Sequence, residues 1–272
     1  MTAQNIGFIG SGNMARSLVL GLLANGRNPA HIHAADIDAE KVEKLASEHG
    51  VNAADHDRIG QVCGLIVLAV KPQSMAEACA SLRPSLAGRA PVVMSLAAGV
   101  TLTRIEELLG SGLALVRCMP NTPSLVGAGA AGLFANDHAS ADQKQDIEDL
   151  MNSTGVCAWC ERESDLETIT ALSGSGPAYF FLFMEAMQNA ACGLGLERGL
   201  AERLTGQTAL GAAELARASE QGLAELRAQV TSPGGTTEAA IARFEQGGLR
   251  QLVDEAIACA TERARELARE NG

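Results

Sequence analysis

The 272-residue sequence predicts an α/β domain with a parallel sheet followed by an all-α domain, and three observations carry that reading. The first is a short apolar run, Asn5-Ile6-Gly7-Phe8-Ile9, leading into Gly10-Ser11-Gly12-Asn13-Met14-Ala15 and an apolar helical stretch over 16–24. Gly-x-Gly-x-x-Ala between a strand and a helix is the dinucleotide fingerprint. Its first glycine makes the turn, its second admits a pyrophosphate, and its small third residue lets helix and strand pack closely. The second is the continuous apolar run over 63–70, as expected of a strand buried on both faces of a parallel sheet. The third is the absence of any strand pattern from Asp165 onward, where helical periodicity takes over. The reading is therefore a Rossmann-type α/β domain over 1–163 and an all-α domain over 164–272. The charged run Glu161-Arg162-Glu163-Ser164-Asp165 is the expected joint.

The remaining elements follow in order. A strand over 31–35 ends at Asp36. An acid at this point normally bonds the adenosine 2′-hydroxyl and repels a 2′-phosphate, which favours NADH over NADPH. Asp36 also competes with Asp38 for the role of cap to a helix over 39–48. The apolar strand 63–70 runs into Lys71-Pro72. Ligands of open α/β sheets sit beyond the carboxyl ends of the strands, which puts Lys71 at the cofactor crevice or leaves it as a solvated loop residue. A strand over 91–96 ends in Ala97-Ala98-Gly99, small enough for a ligand to lie against the backbone. Helix 102–109 and strand 114–118 come next. Met119-Pro120-Asn121-Thr122-Pro123 is a stiff loop, either a wall of the crevice or a plain turn. Strand 130–134, helix 142–152 and strand 156–160 complete the domain.

Composition excludes several functions. The net charge is −11 and no basic block appears, which argues against a nucleic-acid partner. No basic segment followed by a long apolar run marks a signal peptide, and no run is long enough to span a bilayer. Seven cysteines at irregular spacing suit reduced thiols in a cytoplasm. Cys157-Ala158-Trp159-Cys160 has no second pair and no histidine pattern beside it, so no metal site is expected and both thiols read as buried strand residues.

In the second half, helices are expected over 166–172, 178–194, 200–220, 238–244 and 249–269. They are too apolar for a lone bundle, so burial in a dimer with exchanged helices is expected. One stretch stands apart: Thr231-Ser232-Pro233-Gly234-Gly235-Thr236-Thr237, just before the helix over 238–244. Such a start leaves backbone N–H groups unpaired at the positive end of a helix dipole, which attracts a small anion unless it is a plain cap. Lysines stand only at 41, 44, 71 and 144, and the last histidine at 138, so 164–272 holds neither. Alcohol dehydrogenation needs such a base. A C=N bond asks for less, since it can arrive protonated and need only a hydroxyl donor at nitrogen.

Together these motifs closely resemble the pyrroline-5-carboxylate reductase family. The Gly10–Ala15 loop, Val70-Lys71-Pro72, Met119-Pro120-Asn121-Thr122-Pro123, Ser173-Gly174-Ser175-Gly176-Pro177-Ala178-Tyr179 and the 231–237 stretch all take part, over residues 5 to about 265. The resemblance implies reduction of L-1-pyrroline-5-carboxylate to L-proline with NADPH or NADH. It also implies a C-terminal dimerisation domain, with homodimers assembling into a decamer of five dimers. It puts the dinucleotide on Gly10, Ser11, Gly12, Asn13 and Met14; Asp36 follows the second strand at the adenosine ribose, and Asp57 departs from the family at a position near which members often have an Asn touching that ribose. Ala69, Val70, Lys71 and Pro72 would lie along the other ribose, and Ser95, Ala97 and Ala98 by the nicotinamide. The substrate carboxylate would meet the N–H groups of Gly235 and Thr236 beside Ser232, with Glu220 and Val230 lining the pocket. Thr237 would bond the ring nitrogen as the catalytic donor; Tyr179 is the second candidate, also readable as a packing aromatic. Members that take NADP usually carry Ser, Arg or Asn where this chain has Asp36. Two other readings stay open: a related NAD(P)-dependent imine or carbonyl reductase, and a nucleotide-sensing protein without turnover.

Overall fold

Among the described residues, 4–271, the computed structural model forms one sheet from eight strands. They are β1 (Asn5–Ile9), β2 (Ile32–Ala35), β3 (Asn52–Ala53), β4 (Cys63–Leu68), β5 (Val92–Ser95), β6 (Ala114–Met119), β7 (Gly129–Ala135) and β8 (Gly155–Trp159). Residues 1–3 and 272, at the outer ends of the two expected domains, lie outside the described residues. The strand order is β3-β2-β1-β4-β5-β6-β7-β8, parallel from β3 through β6. β7 then runs antiparallel to β6, and β8 parallel to β7. Residues 120–128 are too few for a parallel crossover, which needs about a dozen, so the chain can only turn back there.

Helices cover both faces, because the central strands β1, β4 and β5 are buried on both sides. On one face lie α1 (Asn13–Ala24), α2 (Ala39–His49) and α6 (Ala141–Asn152), packing Leu18, Leu22, Leu45 and Leu150 against Phe8, Leu65 and Met94. On the other lie α3 (His56–Val62), α4 (Met75–Leu82) and α5 (Leu102–Leu109), packing Ile59, Leu82 and Ile105 against Ile9, Ile66 and Leu68. The two-residue β3 and the helices α3 and α4 are absent from the sequence reading. β3 is too short for an alternation to show, and α3 announces itself only by Asp55, whose side chain accepts the Arg58 N–H at 2.7 Å.

The chain divides into two compact units. One runs from the N-terminus through Ser175 and includes the residues from Cys259 onward; the other is Gly176–Ala258. The first therefore extends past the charged run at 161–165. Glu163, within that run, accepts both the Arg117 guanidinium at 2.8 Å and the Leu102 N–H at 2.8 Å, and Glu167 lies 3.6 Å from the same guanidinium. The second unit holds α8 (Gly176–Gly193), α9 (Arg198–Ala218), α10 (Leu223–Gln229), α11 (Thr236–Gln246) and the start of α12 (Leu249–Asn271). A short helix, α7 (Asp165–Ile169), and a π turn over Thr170–Gly174 close the first.

The cysteine pair needs a correction. Cys157 and Cys160 are half-buried, not buried, because β8 is an edge strand with one side open. Burial still pushes both thiols' pKa up, and pushes Cys63 up to about 12 and Cys79 up to about 11. Such thiols are poor nucleophiles.

His33 on β2 is buried and its Nε2 has no partner. Burial first, then Arg58 and His31, hold its pKa below the usual 6.5. The unfolded chain therefore takes the proton more readily, so stability is complete above about pH 6.5 and declines as pH falls below it. Urea midpoints measured from neutral to mildly acid pH should show that decline, and His33→Gln should flatten it. An unaltered slope in the variant would clear His33 of the effect.

Candidate functional site

Backbone pairing continues one residue past several strands and draws their carboxyl ends into a row. Gly10 N–H donates to Ala35 O at 2.8 Å, Ala69 N–H to Ile9 O at 2.7 Å and Leu96 N–H to Leu68 O at 3.0 Å. Asp36, the Gly10–Ser11 turn, the segment Ala69–Lys71 and the residues after Ser95 thus share one edge, at the point where strand order reverses between β1 and β4. Open α/β sheets bind their ligands at such a switch point.

The glycine loop is built to its expected pattern. Gly10 has φ +96°, and a Cβ there would lie 2.6 Å from Ala69 O, so the loop passes hard against the end of β4. A Cβ on Gly12 would meet nothing within 4 Å, which leaves that side open to a guest. Helix α1 begins at Asn13 with Gly12 as its cap, no capping side chain and no acid in its first turn. Asn13 and Met14 therefore sit at an unneutralised helix N-terminus, the natural seat for a phosphate. Ser11 Oγ is buried without a partner. These features fit the pyrophosphate of a dinucleotide.

Asp36 is held by this loop. Its Oδ2 accepts the Ser11 N–H at 2.6 Å and its Oδ1 accepts the Asp38 N–H at 2.9 Å. Asp38 is the residue at the cap position of α2, but its carboxylate pairs with Lys41 at 3.0 Å and bonds no helix N–H. Beside Asp36 lies an open depression whose walls include Glu43, Ala54, Asp55 and Arg58. Asp57 is not among those walls; it is exposed on α3 and accepts from Gln61 Nε2 at 2.7 Å. Asp55 and Arg58 are residues that sequence reasoning passed over, because their neighbours in space come from β2 and α2.

Along the rest of the edge, Ala69, Val70 and Pro72 are half-buried and Lys71 is exposed. Ser95 is buried, and its hydroxyl accepts the Ala97 N–H at 3.3 Å, so it shapes the turn. Ala97 is buried and Ala98 half-buried. The Met119–Pro123 loop is pinned through Asn121, which donates to Ser173 O at 2.9 Å and accepts the Ala130 N–H at 2.9 Å. That ties two of the sequence motifs directly to each other.

The second group of candidates lies in the helical unit. A turn over 230–235 brings Val230, Ser232, Gly235, Thr236 and Thr237 together, with Gly235 N–H donating to Ser232 O at 3.0 Å. Gln229 Nε2 donates to Gln221 Oε1 at 2.6 Å, which ties the end of α10 to the exposed turn after α9 that carries Glu220. Gly235 caps α11 without a side-chain bond, and the first intrahelical bond there is Ala239 N–H to Gly235 O at 3.2 Å. Of the two amides expected at a substrate carboxylate, Gly235 N–H is already used within the turn, while Thr236 N–H has no acceptor among the described residues. Gly234, at φ +69°, donates its N–H to Glu238 Oε2 at 2.7 Å. Glu238 was missed in the sequence, where it reads as an ordinary helix former. Thr237 and Tyr179 are both half-buried.

Among the described residues no group of three or more His, Cys, Asp or Glu side chains is placed to hold a metal ion, and no helix is long and apolar enough to cross a membrane.

Comparison with known proteins gives two family matches along the chain. Residues 163–267 match the family model for pyrroline-5-carboxylate reductase dimerisation, and residues 5–99 match that for NADP oxidoreductase, coenzyme F420-dependent. The pyrroline-5-carboxylate reductase of Pseudomonas aeruginosa is 45% identical over 273 residues, covering 100% of both chains. A solved pyrroline-5-carboxylate reductase from Coxiella burnetii superposes with a TM-score of 0.95 at 47% identity, covering 98% of this chain and 99% of that one. The pyrroline carboxylate reductase of Plasmodium falciparum, solved with NADP bound, superposes with a TM-score of 0.84 at 28% identity, over 98% and 99% of the two chains.

Proposed function

The chain belongs to the pyrroline-5-carboxylate reductase family, and from that premise we propose that it reduces L-1-pyrroline-5-carboxylate to L-proline with NADPH or NADH, the last step of proline synthesis. The observation within the structure that carries this reading is the uncapped start of α11, where the free Thr236 N–H and the Thr237 hydroxyl stand side by side. The substrate makes matching demands: an anionic carboxylate on the ring carbon next to the imine nitrogen.

When bound, the reduced dinucleotide supplies a hydride to the imine carbon. The protein's own residues do the rest. The α11 amides and the positive end of its dipole hold the carboxylate, with Ser232 beside it. Thr237 donates a hydrogen bond to the ring nitrogen, and as the hydride reaches carbon that nitrogen takes up one proton through this hydroxyl, which solvent replenishes. Glu220 and Val230 complete the pocket. On the dinucleotide side, Ser11, Asn13 and Met14 take the phosphates, and Ala69 to Pro72 with Ala97 and Ala98 line the rest. We retain Asp57 as a ribose contact and Ser95 as a nicotinamide contact, the latter through its place in the turn. The assignment of 164–272 as the dimerisation and substrate domain, the decamer of five dimers and the cytoplasmic location are parts of the same proposal. The seven free cysteines support a reducing compartment.

Initial rates with pyrroline-5-carboxylate and each nicotinamide cofactor in parallel test the reading. Cofactor oxidation that depends on this substrate is expected. Cofactor binding without such turnover would pass the site to another imine or carbonyl compound.

Glu238 gives a further expectation. Its carboxylate braces Gly234 but adds a negative charge beside the seat of an anion. Two unit charges ~7 Å apart in water repel by about 0.6 kcal/mol, or about threefold in affinity. Glu238→Gln keeps the acceptor and removes the charge, so KM for the substrate should fall by about that factor while kcat barely moves. An unmoved KM would show that solvent already screens the charge.

A further inference from the structure

We propose that Asp36 and Ile37 commit the nucleotide site to a dinucleotide with a free 2′-hydroxyl, so that this enzyme works with NADH. The proposal rests on the dinucleotide reading of the sheet edge and names which of the two cofactors that edge selects.

Asp36 stands at the end of β2, where an acid bonds the adenosine ribose in NAD-binding folds. The structure adds that it cannot turn aside. The Ser11 and Asp38 N–H groups, at 2.6 and 2.9 Å, hold one carboxylate oxygen each. Each oxygen keeps a lone pair that a ribose hydroxyl can use, because an ionised carboxylate accepts about four hydrogen bonds. A 2′-phosphate, close to doubly charged at neutral pH and then an acceptor only, offers that group no donor and is repelled by it.

The surroundings add to the bias. The neighbouring depression sets the carboxylates of Asp36, Glu43 and Asp55 against a single guanidinium, that of Arg58. Lys41, the other cation close by, is drawn to Asp38 at 3.0 Å. A site that accepts a 2′-phosphate places an arginine nearby for it; Arg58 is the one such group on this wall, and the three carboxylates around it outweigh its charge. Directly after Asp36 this chain has Ile37, 93% exposed. An exposed isoleucine offers adenine an apolar face and a phosphate no partner.

Equilibrium binding of NADH and of NADPH to the purified enzyme, read by nicotinamide fluorescence without substrate, tests the proposal. NADH should bind at least ~10-fold more tightly, the ratio that a 1.4 kcal/mol difference produces. Two variants should shift the ratio toward NADPH by ~10-fold or more. Asp36→Ser removes the charge. Ile37→Arg adds a cation at a side chain that packs against nothing, so the fold is untouched even if Asp36→Ser loosens the glycine loop. NADPH bound as tightly as NADH by the wild type, or a ratio unmoved in both variants, would overturn the selection by Asp36 and Ile37 and leave the dinucleotide site standing. Failure to bind either dinucleotide would overturn that site as well.

Discussion

Thr237→Ala is expected to lower kcat by roughly ten- to a thousandfold while changing KM little, the signature of a group that acts in the transition state. The split follows from where the atoms lie. The carboxylate is held by backbone amides at the start of α11, which alanine keeps, and the hydroxyl alone is lost. Loss of the hydroxyl should not loosen the helix. Thr237 is its second residue, Gly235 is the cap without a side-chain bond, and the brace at the helix start comes from Glu238, which the variant keeps. Thr237→Ser restores the donor without the methyl and should recover most of the rate, whereas Thr237→Val keeps the shape and should not. Steady-state rates of the three variants, with circular dichroism as the check on folding, separate the cases. A full rate in the alanine variant would transfer the donor role to water or to Tyr179, the half-buried second candidate on α8.

Much of the nucleotide half is legible because its signals are local. Gly10, Gly12 and the apolar start of α1 sit within a few residues of one another, and each contributes a property of its own backbone. Asp36 is legible as an acid at the end of β2 for the same reason. Its hold on Ser11 is not, since the two residues are 25 positions apart and meet only through the pairing of β1 with β2. Asp55, Arg58 and Ile37 were overlooked for a related reason: their meaning comes from what lies opposite them. The reversal of β7 needed the length of the preceding loop, not any property of β7 itself. Cys157 and Cys160 were misjudged because an apolar alternating run looks the same on a central strand and on an edge one. In the helical half, Thr236 and Thr237 could be found from the glycines before them, while the bond between Glu238 and Gly234 depends on a glycine φ that composition does not reveal.

The second large effect concerns assembly. Phe181→Asp is expected to dissociate the homo-oligomer formed through the helical dimerisation domain, with loss of activity. Phe180, Phe181, Leu182 and Phe183 follow one another on α8, and are 70%, 65%, 67% and 44% exposed within a single chain. Successive helical residues point about 100° apart, so these four face in four directions around the axis. Phe183 has an aromatic neighbour within the chain, Phe244 of α11, with ring centroids 5.8 Å apart; the other three are more exposed. A helix that is apolar all round needs cover on every side. A flat partner surface would bury one direction and leave the rest wet, so a partner chain that wraps α8 would cover it best. Covering one such side chain yields ~2 kcal/mol, and a two-fold interface counts each substitution twice. An aspartate here trades that gain for an unpaired buried charge, so the dimer dissociation constant should rise at least ~1000-fold. Sedimentation of the wild type, Phe181→Asp and Phe181→Leu at one concentration checks it, with Phe181→Leu expected to stay assembled. If Phe181→Asp kept the wild-type mass, α8 would have to lie outside the interface, and the cover for its phenylalanines would have to come from elsewhere in the same chain.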